Sequence, residues 1–390
     1  MAMIQMFDAD RLLAKYRLPQ RMRDELKVLF RDNIGRSLSR TRVSKNKLAS
    51  DTQGKRANTI CATLVNIRKL GFKIESIYSV EGRHLRAVVA HWIDSGEAVG
   101  TMQGKLAHLK AFLEWMGKYG LVKSLYDYRS KEELAAMGRN RSYVTTTDKS
   151  WEANGVDVDA IFAQIAQTDP HVAVQLKLQA AFGLRVKESC MLRIRKTLLE
   201  LQSRDDDKFR VDKGTKGGRE RDVPLQLKLE VLHEALRLAN DTTGSTIPSD
   251  YDWPRWRRRY YGILAQHGIT KDEKGVTSHG LRHGWMQQRY EVLSGSPAPI
   301  KGSEERPDRA THDATLRVII EEVGHSKPEK SGMYISTPAA MAKLRAPVVT
   351  IEDVRRTLEE TGGEKKAAAA KLGISRQKVY RILESGAQNG

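Results

Sequence analysis

Three stretches between residues 52 and 118 repeat one pattern, and that repetition restricts this part of the chain to one kind of fold. Thr52–Leu70 carries Ile60, Leu64, Ile67 and Leu70; Val80–Asp94 carries Leu85, Val88, Val89 and Trp92; Thr101–Lys118 carries Leu106, Leu109, Phe112, Leu113 and Met116. Each set recurs with a period near 3.6 residues, the mark of a helix with one apolar stripe rather than of a strand. Helices apolar on one side must bury that side against each other, so 51–119 reads as a small helical bundle. Its stripes are core. The opposite faces carry Lys69, Lys73, Arg83, Arg86, Lys105, Lys110 and Lys118. Such charges either solvate the bundle or grip backbone phosphates of a nucleic acid.

The bundle accounts for only part of 390 residues, so two or three domains are expected. Residues 1–50 read as a basic N-terminal extension, with one amphipathic helix at Asp24–Phe30 and a basic run, Arg36–Lys47, that is either a solvated linker or a DNA-touching arm. The helical period breaks over 120–150, and Arg139–Thr147 reads as a linker. A second domain is expected over 151–346. Val158–Ala166 and His171–Phe182 are helical, with Pro170 at a helix start, and a further helix follows Gly183-Leu184-Arg185. Lys208–Asp212 and Glu220–Leu225 are strand candidates around a Gly-rich tip, Gly214–Arg219. Leu225–Leu238 and Trp253–Gly268 are helical. The latter holds Arg257, Arg258 and Arg259 among aromatic residues, which suits either a nucleic-acid surface or a solvated face over buried rings. Ser294–Asp308, rich in Pro, Gly and Ser, is expected to be a mobile loop, and His312–Val323 a helix capped by Gly324. The fold class is therefore mainly α with a small β-hairpin.

Lys and Arg number 67 against 48 Asp and Glu, a net charge of +19, which favours polyanionic partners. Cys61 and Cys190 have neither disulfide nor zinc-site spacing and sit in apolar helical patterns as buried thiols. The first residues lack a signal-peptide pattern and no apolar run reaches membrane length, so a cytoplasmic protein without membrane contact is expected.

Beyond Pro347 a compact tail, 347–390, begins. Three helical segments, Ile351–Glu360, Glu364–Leu372 and Ser375–Leu383, are separated by Gly362-Gly363 and Gly373-Ile374. Ala369, Gly373 and Val379 suit a helix-turn-helix: a small residue where helices touch, a glycine at the turn, and an apolar anchor. Ser375 can cap the last helix. Its outer face presents Arg376, Gln377, Lys378, Tyr380 and Arg381, side chains able to reach bases or phosphates.

Four motifs then occur in order: Gly183-Leu184-Arg185-x-x-Glu188; Thr215-Lys216-Gly217-Gly218-Arg219-Glu220-Arg221-Asp222-Val223-Pro224-Leu225; His279-x-Leu281-Arg282-His283; and Gly324-His325-Ser326 with Tyr334 nine positions after His325. Each alone is common. Together they resemble the tyrosine recombinases of the phage-integrase type, over roughly Val156 to Tyr334, with a tail similar to the Fis type. The bundle is similar in kind to that family's DNA-clamping domain.

The resemblance implies that Arg185 and Arg282 hold the non-bridging oxygens of a DNA phosphate. Tyr334 attacks phosphorus to leave a 3′-phosphotyrosine, which conserves the bond energy so that no ATP, metal or other cofactor is needed. His279 is the implied proton acceptor for a phenol of ordinary pKa about 10. Lys216 is the implied donor to the leaving 5′ oxygen, with Lys213 as its competitor. His325 is the implied phosphate donor, and Glu188 fixes Arg185 or a neighbouring helix. Double-stranded DNA, a homotetramer on it and room for an accessory DNA-bending protein follow from the same resemblance, as does a bacterial, nucleoid-associated location. Two departures stand out. Arg282 and His325 are 43 positions apart, with Ser294–Asp308 as the excess, and a helix-turn-helix follows where the family commonly ends in a short docking helix. A type IB topoisomerase and a non-catalytic DNA-binding regulator on the same scaffold are the competing readings.

Overall fold

The computed structural model describes residues 7–36, 48–226, 228–345 and 349–387. Most of the basic run (37–47) and the expected break at Pro347 lie outside the described residues. The chain opens with α1 (Ala9–Leu13), α2 (Gln20–Asn33), α3 (Ser50–Lys69), α4 (Gly82–Asp94) and α5 (Val99–Trp115), then two short helices, α6 (Leu125–Tyr128) and α7 (Lys131–Ala136). The three expected stripes become α3, α4 and α5. Leu70 and Met116 fall one residue past the ends of α3 and α5; Leu70 is exposed, whereas Met116 still packs partly buried against the core.

The stretch read as an N-terminal extension is part of this packing. Met22, Leu26, Leu29 and Phe30 form one face of α2 and join the core of Ile60, Leu64, Val88, Trp92, Leu109 and Phe112. Each such fully buried side chain contributes about 1.5–3 kcal/mol. Glu25 fastens α2 to the bundle, accepting from the Ser76 hydroxyl and the Ile77 N–H at 2.8 Å. The expected linker also adds to the core, through Leu125 and Leu134.

The second unit contains α8 (Val158–Thr168), α9 (Pro170–Phe182), α10 (Val186–Met191) and α11 (Ile194–Gln202), then β1 (Lys208–Val211), β2 (Arg221–Pro224), α12 (Leu229–Leu236) and α13 (Trp253–Gln266). Among the described residues β1 and β2 form the sheet, antiparallel, with Phe209 opposite Val223 and Val211 opposite Arg221. Next come α14 (His279–Ser294), α15 (Arg309–Glu322), α16 (Gly332–Ile335) and α17 (Pro338–Arg345). Asp169 accepts from the His171 and Val172 N–H groups ahead of Pro170, which starts α9 as the sequence suggests.

Ser294–Asp308 differs from the mobile loop expected. Ala298 and Ile300 are buried in the core of Trp285, Tyr290, Ile319 and Tyr334, and Lys301 pairs with Asp148 at 3.3 Å. Two apolar side chains pin a segment whose composition otherwise reads as loop. Helix α15 starts earlier than its periodicity suggests, because Asp308 caps it by accepting from the Thr311 N–H at 3.0 Å.

The tail folds as α18 (Ile351–Glu360), α19 (Lys365–Lys371) and α20 (Arg376–Ala387) around Val354, Ala369 and Val379. Gly373 takes φ +63° at the turn, and Ser375 accepts from the Lys378 N–H at 3.2 Å. No helix among the described residues is long and apolar enough to cross a membrane.

Candidate active site

The site is organised by the C-terminal end of α15. A helix leaves its last four carbonyls without intrahelical partners, and each here is satisfied. Gly324, at φ +70°, turns the chain so that its own N–H reaches Glu321 and the His325 N–H reaches Ile320, both at 2.9 Å. The two remaining carbonyls take arginines. Arg221 Nε donates to Glu322 O at 2.7 Å. Val323 O accepts from both Arg185, at 3.1 Å, and Arg282, at 2.6 Å. One peptide oxygen thus brings together two guanidiniums 97 positions apart in the chain, and the turn that frees it also aims His325. Arg282 additionally donates to Gly183 O at 2.5 Å, where α9 ends in a glycine at φ +60° packed under Trp285.

Glu188 holds the arginines from the other side. It is fully buried and accepts from the Arg185 N–H at 2.7 Å, Arg185 Nη1 at 2.6 Å, and both terminal nitrogens of Arg221 at 2.8 and 2.7 Å. Burial alone would raise its pKa. The Arg221 hydrogen bonds and charge, then Arg185 and Arg282, hold it instead at about 2. Arg221 is a site residue the sequence reading left without a role: within the hairpin motif it looks like one more surface cation, whereas strand alternation turns it inward. Arg282 is fully buried, and burial followed by the neighbouring Arg185 lowers its pKa to about 9, still cationic at neutral pH. Its Nε is buried without an acceptor, an open donor at the centre of the cluster.

Tyr334 is 6% exposed on α16. Its hydroxyl lies 3.2 Å from His325 Nε2, and the Arg282 guanidinium lies 5.8 Å from its ring centre. The rings of His279 and His283 lie 5.7 and 4.8 Å from the Tyr334 ring. The hydrogen-bond partner of the hydroxyl is thus His325, while His279, the proton acceptor implied by the family resemblance, lies against the same ring. Lys216 is exposed in the hairpin turn Lys216–Gly218 and acts on His325 as a nearby charge. The fold thus assembles Arg185, Glu188, His279, Arg282, His325 and Tyr334, adds Arg221 and His283, and leaves Lys216 at the rim.

All three histidines are neutral at pH 7. Desolvation by the surrounding protein, then the charges of Arg282 and Arg185, lowers His279 to about 4, although the residue as a whole is exposed. Desolvation, then Arg185, Arg282 and Lys216, lowers His325 to about 4, and burial beside His279 and Lys149 lowers His283 to about 3. Unfolded histidines titrate near ~6.5, so the unfolded chain binds more protons between that value and about 4. Stability is therefore full above the unfolded pKa and is lost as pH falls toward the folded values. His84 and His108, also lowered chiefly by desolvation, add in the same sense. The melting temperature of the DNA-free protein is expected to drop steadily as pH is lowered from ~7.5 to ~4.5. A flat profile in a calorimetric pH series would contradict this electrostatic picture.

The candidate DNA-contact residues fall in two places. On α13, Arg257, Arg258 and Arg259 are exposed while Trp256 and Tyr260 are fully buried. Arg259 pairs with Asp169 at 2.7 Å, and Arg257 lies over Tyr261. On α20, Arg376, Gln377 and Arg381 are exposed and Lys378 is half-buried. Arg376 donates to the Tyr380 hydroxyl at 3.1 Å, and the Lys365 ammonium sits 4.5 Å from the Tyr380 ring centre.

Comparison with known families gives three matches along the chain. Residues 44–122 match the phage integrase N-terminal family, 141–288 the integrase family, and 354–384 the bacterial regulatory protein, Fis family. The integrase match contains Arg185, Glu188, Lys216, His279 and Arg282; His325 and Tyr334 lie beyond it. No curated protein matches the chain. Among solved structures, a lambda integrase dimer bound to a COC' core site is similar at 12% identity, over 85% of this chain and 80% of that one, with TM-score 0.46. The Tn1549 transposon integrase in complex with a circular intermediate DNA is similar at 13% identity over 91% and 99%, with TM-score 0.43. The XerH site-specific recombinase bound to palindromic difH substrate is similar at 16% identity over 86% and 92%, with TM-score 0.44. Two integrase-type matches in order, the second containing Arg185, Arg221 and Arg282, followed by the Fis-family match, give this chain the domain order of a phage-type integrase with a Fis-type helix-turn-helix tail.

Proposed function

We propose that the protein is the integrase of a mobile element or prophage, and that Tyr334 is its nucleophile. The phenol oxygen attacks the scissile phosphorus, the bond to the 5′ oxygen breaks, and a 3′-phosphotyrosine and a free 5′-hydroxyl result. The reverse attack by a 5′-hydroxyl rejoins the strand. The observation that carries this reading is the Tyr334 hydroxyl in contact with a neutral histidine, beside two guanidiniums fixed to one carbonyl. Fixed cations suit a reaction whose transition state gathers charge on phosphate oxygens. The unpartnered Nε of Arg282 fits such an oxygen as its missing acceptor. In this reading His325, already in contact with the hydroxyl, takes the phenolic proton, with His279 against the same ring. Lys216 serves as the acid for the leaving oxygen once the hairpin tip meets DNA.

Trapping the protein on a nicked suicide duplex is expected to yield a phosphotyrosyl peptide containing Tyr334. A modified peptide from another segment, or cognate DNA bound without any adduct, would overturn the assignment; the second outcome would leave a regulator. Relaxation of a plasmid lacking a cognate site would point to a type IB topoisomerase.

The working unit is a homotetramer on paired DNA sites, joined by an accessory DNA-bending protein where the site requires it. The exposed face of α20 reads a separate DNA element. Removing 349–387 is expected to shorten the footprint. Loss of three cationic contacts, Arg376, Lys378 and Arg381, would also make the log–log salt dependence of binding shallower by roughly 3. An unchanged footprint and slope would reduce the tail to an assembly element.

A further inference from the structure

Residues 139–151 run along three parts of the molecule in succession. At the front, the Arg139 side chain donates to Ile93 O at the end of α4, and the Arg141 side chain to the Gln103 carboxamide on α5. In the middle, the Thr145 N–H donates to Gly332 O, in the first residue of α16, at 2.8 Å. Thr145 is 9% exposed there, and the Lys330 ammonium lies 5.2 Å from the Tyr143 ring centre. At the far end, Asp148 accepts from Gln287 of α14 at 2.8 Å, and Trp151 Nε1 donates to Thr277 O at 2.8 Å. The chain lies so close to the start of α14 that a Cβ at Gly280 would stand 2.4 Å from Lys149 O. The segment therefore touches the bundle, then the helix bearing Tyr334, then the helix bearing His279 and Arg282.

We propose that this segment is a strap that positions Tyr334, with Thr145 and Val144 acting through α16 rather than on DNA. The inference rests on Tyr334 being the nucleophile. Helix α16 is one turn long, too short to hold its own position. Between the 3₁₀ turn at Pro328–Ser331 and α17, the Thr145 bond is its backbone link to the linker. Because the strap's front end is tied to α4 and α5, the placement of the bundle bears on where the phenol stands.

Gly332 makes the strap testable. Its φ of −55° and ψ of −21° are helical, so alanine is comfortable there and the backbone gains from it. An alanine methyl would, however, stand 3.3 Å from Val144 Cγ2, tighter than an ordinary contact, and would press the strap from α16. The experiment measures single-turnover adduct formation on a nicked suicide duplex at saturating protein, together with Kd for that duplex. Gly332→Ala is expected to slow adduct formation about tenfold, the scale of a sub-ångström misplacement of a reacting group, with Kd within about twofold. Combining it with Val144→Ala makes room for the methyl and is expected to recover most of the rate. Thr145→Pro, which removes the donating N–H, is expected to be slow and unrescued by Val144→Ala. An unchanged rate in Gly332→Ala, or a loss that Val144→Ala leaves in place, overturns the strap. Tyr334→Phe separates the two ideas. Adduct persisting in that variant removes the nucleophile assignment, whereas adduct lost there with Gly332→Ala as fast as the parent removes only the strap.

Discussion

Tyr334→Phe is expected to bind its DNA with Kd within about twofold of the parent and to form no covalent adduct, a loss on the order of 10⁴-fold or more for removal of a nucleophile. The separation of the two readouts follows from where the hydroxyl sits. Its partner is His325 Nε2, and the Tyr334 side chain is 6% exposed, so deleting one oxygen removes little surface that DNA could touch. Phe keeps the ring that packs against His283 and the Arg282 guanidinium. The core of Trp285, Tyr290, Ile319 and Ile335 around it is untouched, so stability changes by at most about 1 kcal/mol, the net value of one ordinary hydrogen bond. Electrophoresis of a suicide duplex under denaturing conditions reads the adduct, and a native gel reads binding. Binding lost in parallel with the adduct would mean that the phenol holds DNA rather than attacks it.

How much of this site the sequence discloses depends on what kind of signal each part leaves. Side chains proposed to meet a phosphate must be of set chemical types, so Arg185, Arg282, His279, His325 and Tyr334 are visible as motifs. Amphipathic helices leave a period, and the helix-turn-helix leaves Ala369, Gly373 and Val379 at readable offsets. Contacts made by the backbone leave nothing. Val323 contributes only a carbonyl and Thr145 only an N–H, and any residue but proline supplies the latter. Arg221 shows the opposite failure: its type is visible, but a cation in a charged hairpin reads as surface until the strand register buries it against Glu188. Ser294–Asp308 misleads because composition counts its Pro, Gly and Ser, whereas two residues, Ala298 and Ile300, decide its packing. The sequence points to His279 as the proton acceptor of Tyr334, whereas the hydrogen-bond partner of its hydroxyl is His325, a contact that leaves no sequence signal of its own.

Replacing Arg221 by alanine is expected to cost about 3–5 kcal/mol, the usual consequence of leaving one member of a buried ion pair alone. For a unit of this size that corresponds to a melting temperature lower by roughly 10 °C. Glu188 is fully buried and would lose two of its four close hydrogen bonds, and Glu322 O would lose its donor. Folding would then favour a protonated Glu188. In the parent, a carboxyl held at about 2 contributes stability that is present above the unfolded value near ~4.5 and lost as pH falls through about 2. In Arg221→Ala burial dominates, the carboxyl pKa rises above the unfolded value, and the sign reverses: its contribution is present below ~4.5 and is lost as pH rises toward the folded value. The same carboxylate orients Arg185 at 2.6 Å, so adduct formation is expected to fall on the order of 10²-fold as that guanidinium loses its fixed direction. Arg221→Lys retains the charge but cannot form the fork to both carboxylate oxygens, and should fall between parent and alanine in both readouts. Glu188→Gln tests the logic from the other side. It keeps the shape but sets Arg185, Arg221 and Arg282 against one another with no anion between them, so stability should fall while added inorganic phosphate, an anion able to enter the same cluster, should restore part of it. Calorimetry and single-turnover cleavage decide the matter. If Arg221→Ala melts and cleaves like the parent, the buried pair is incidental, and Arg185 and Arg282 are held by Val323 O and Gly183 O alone.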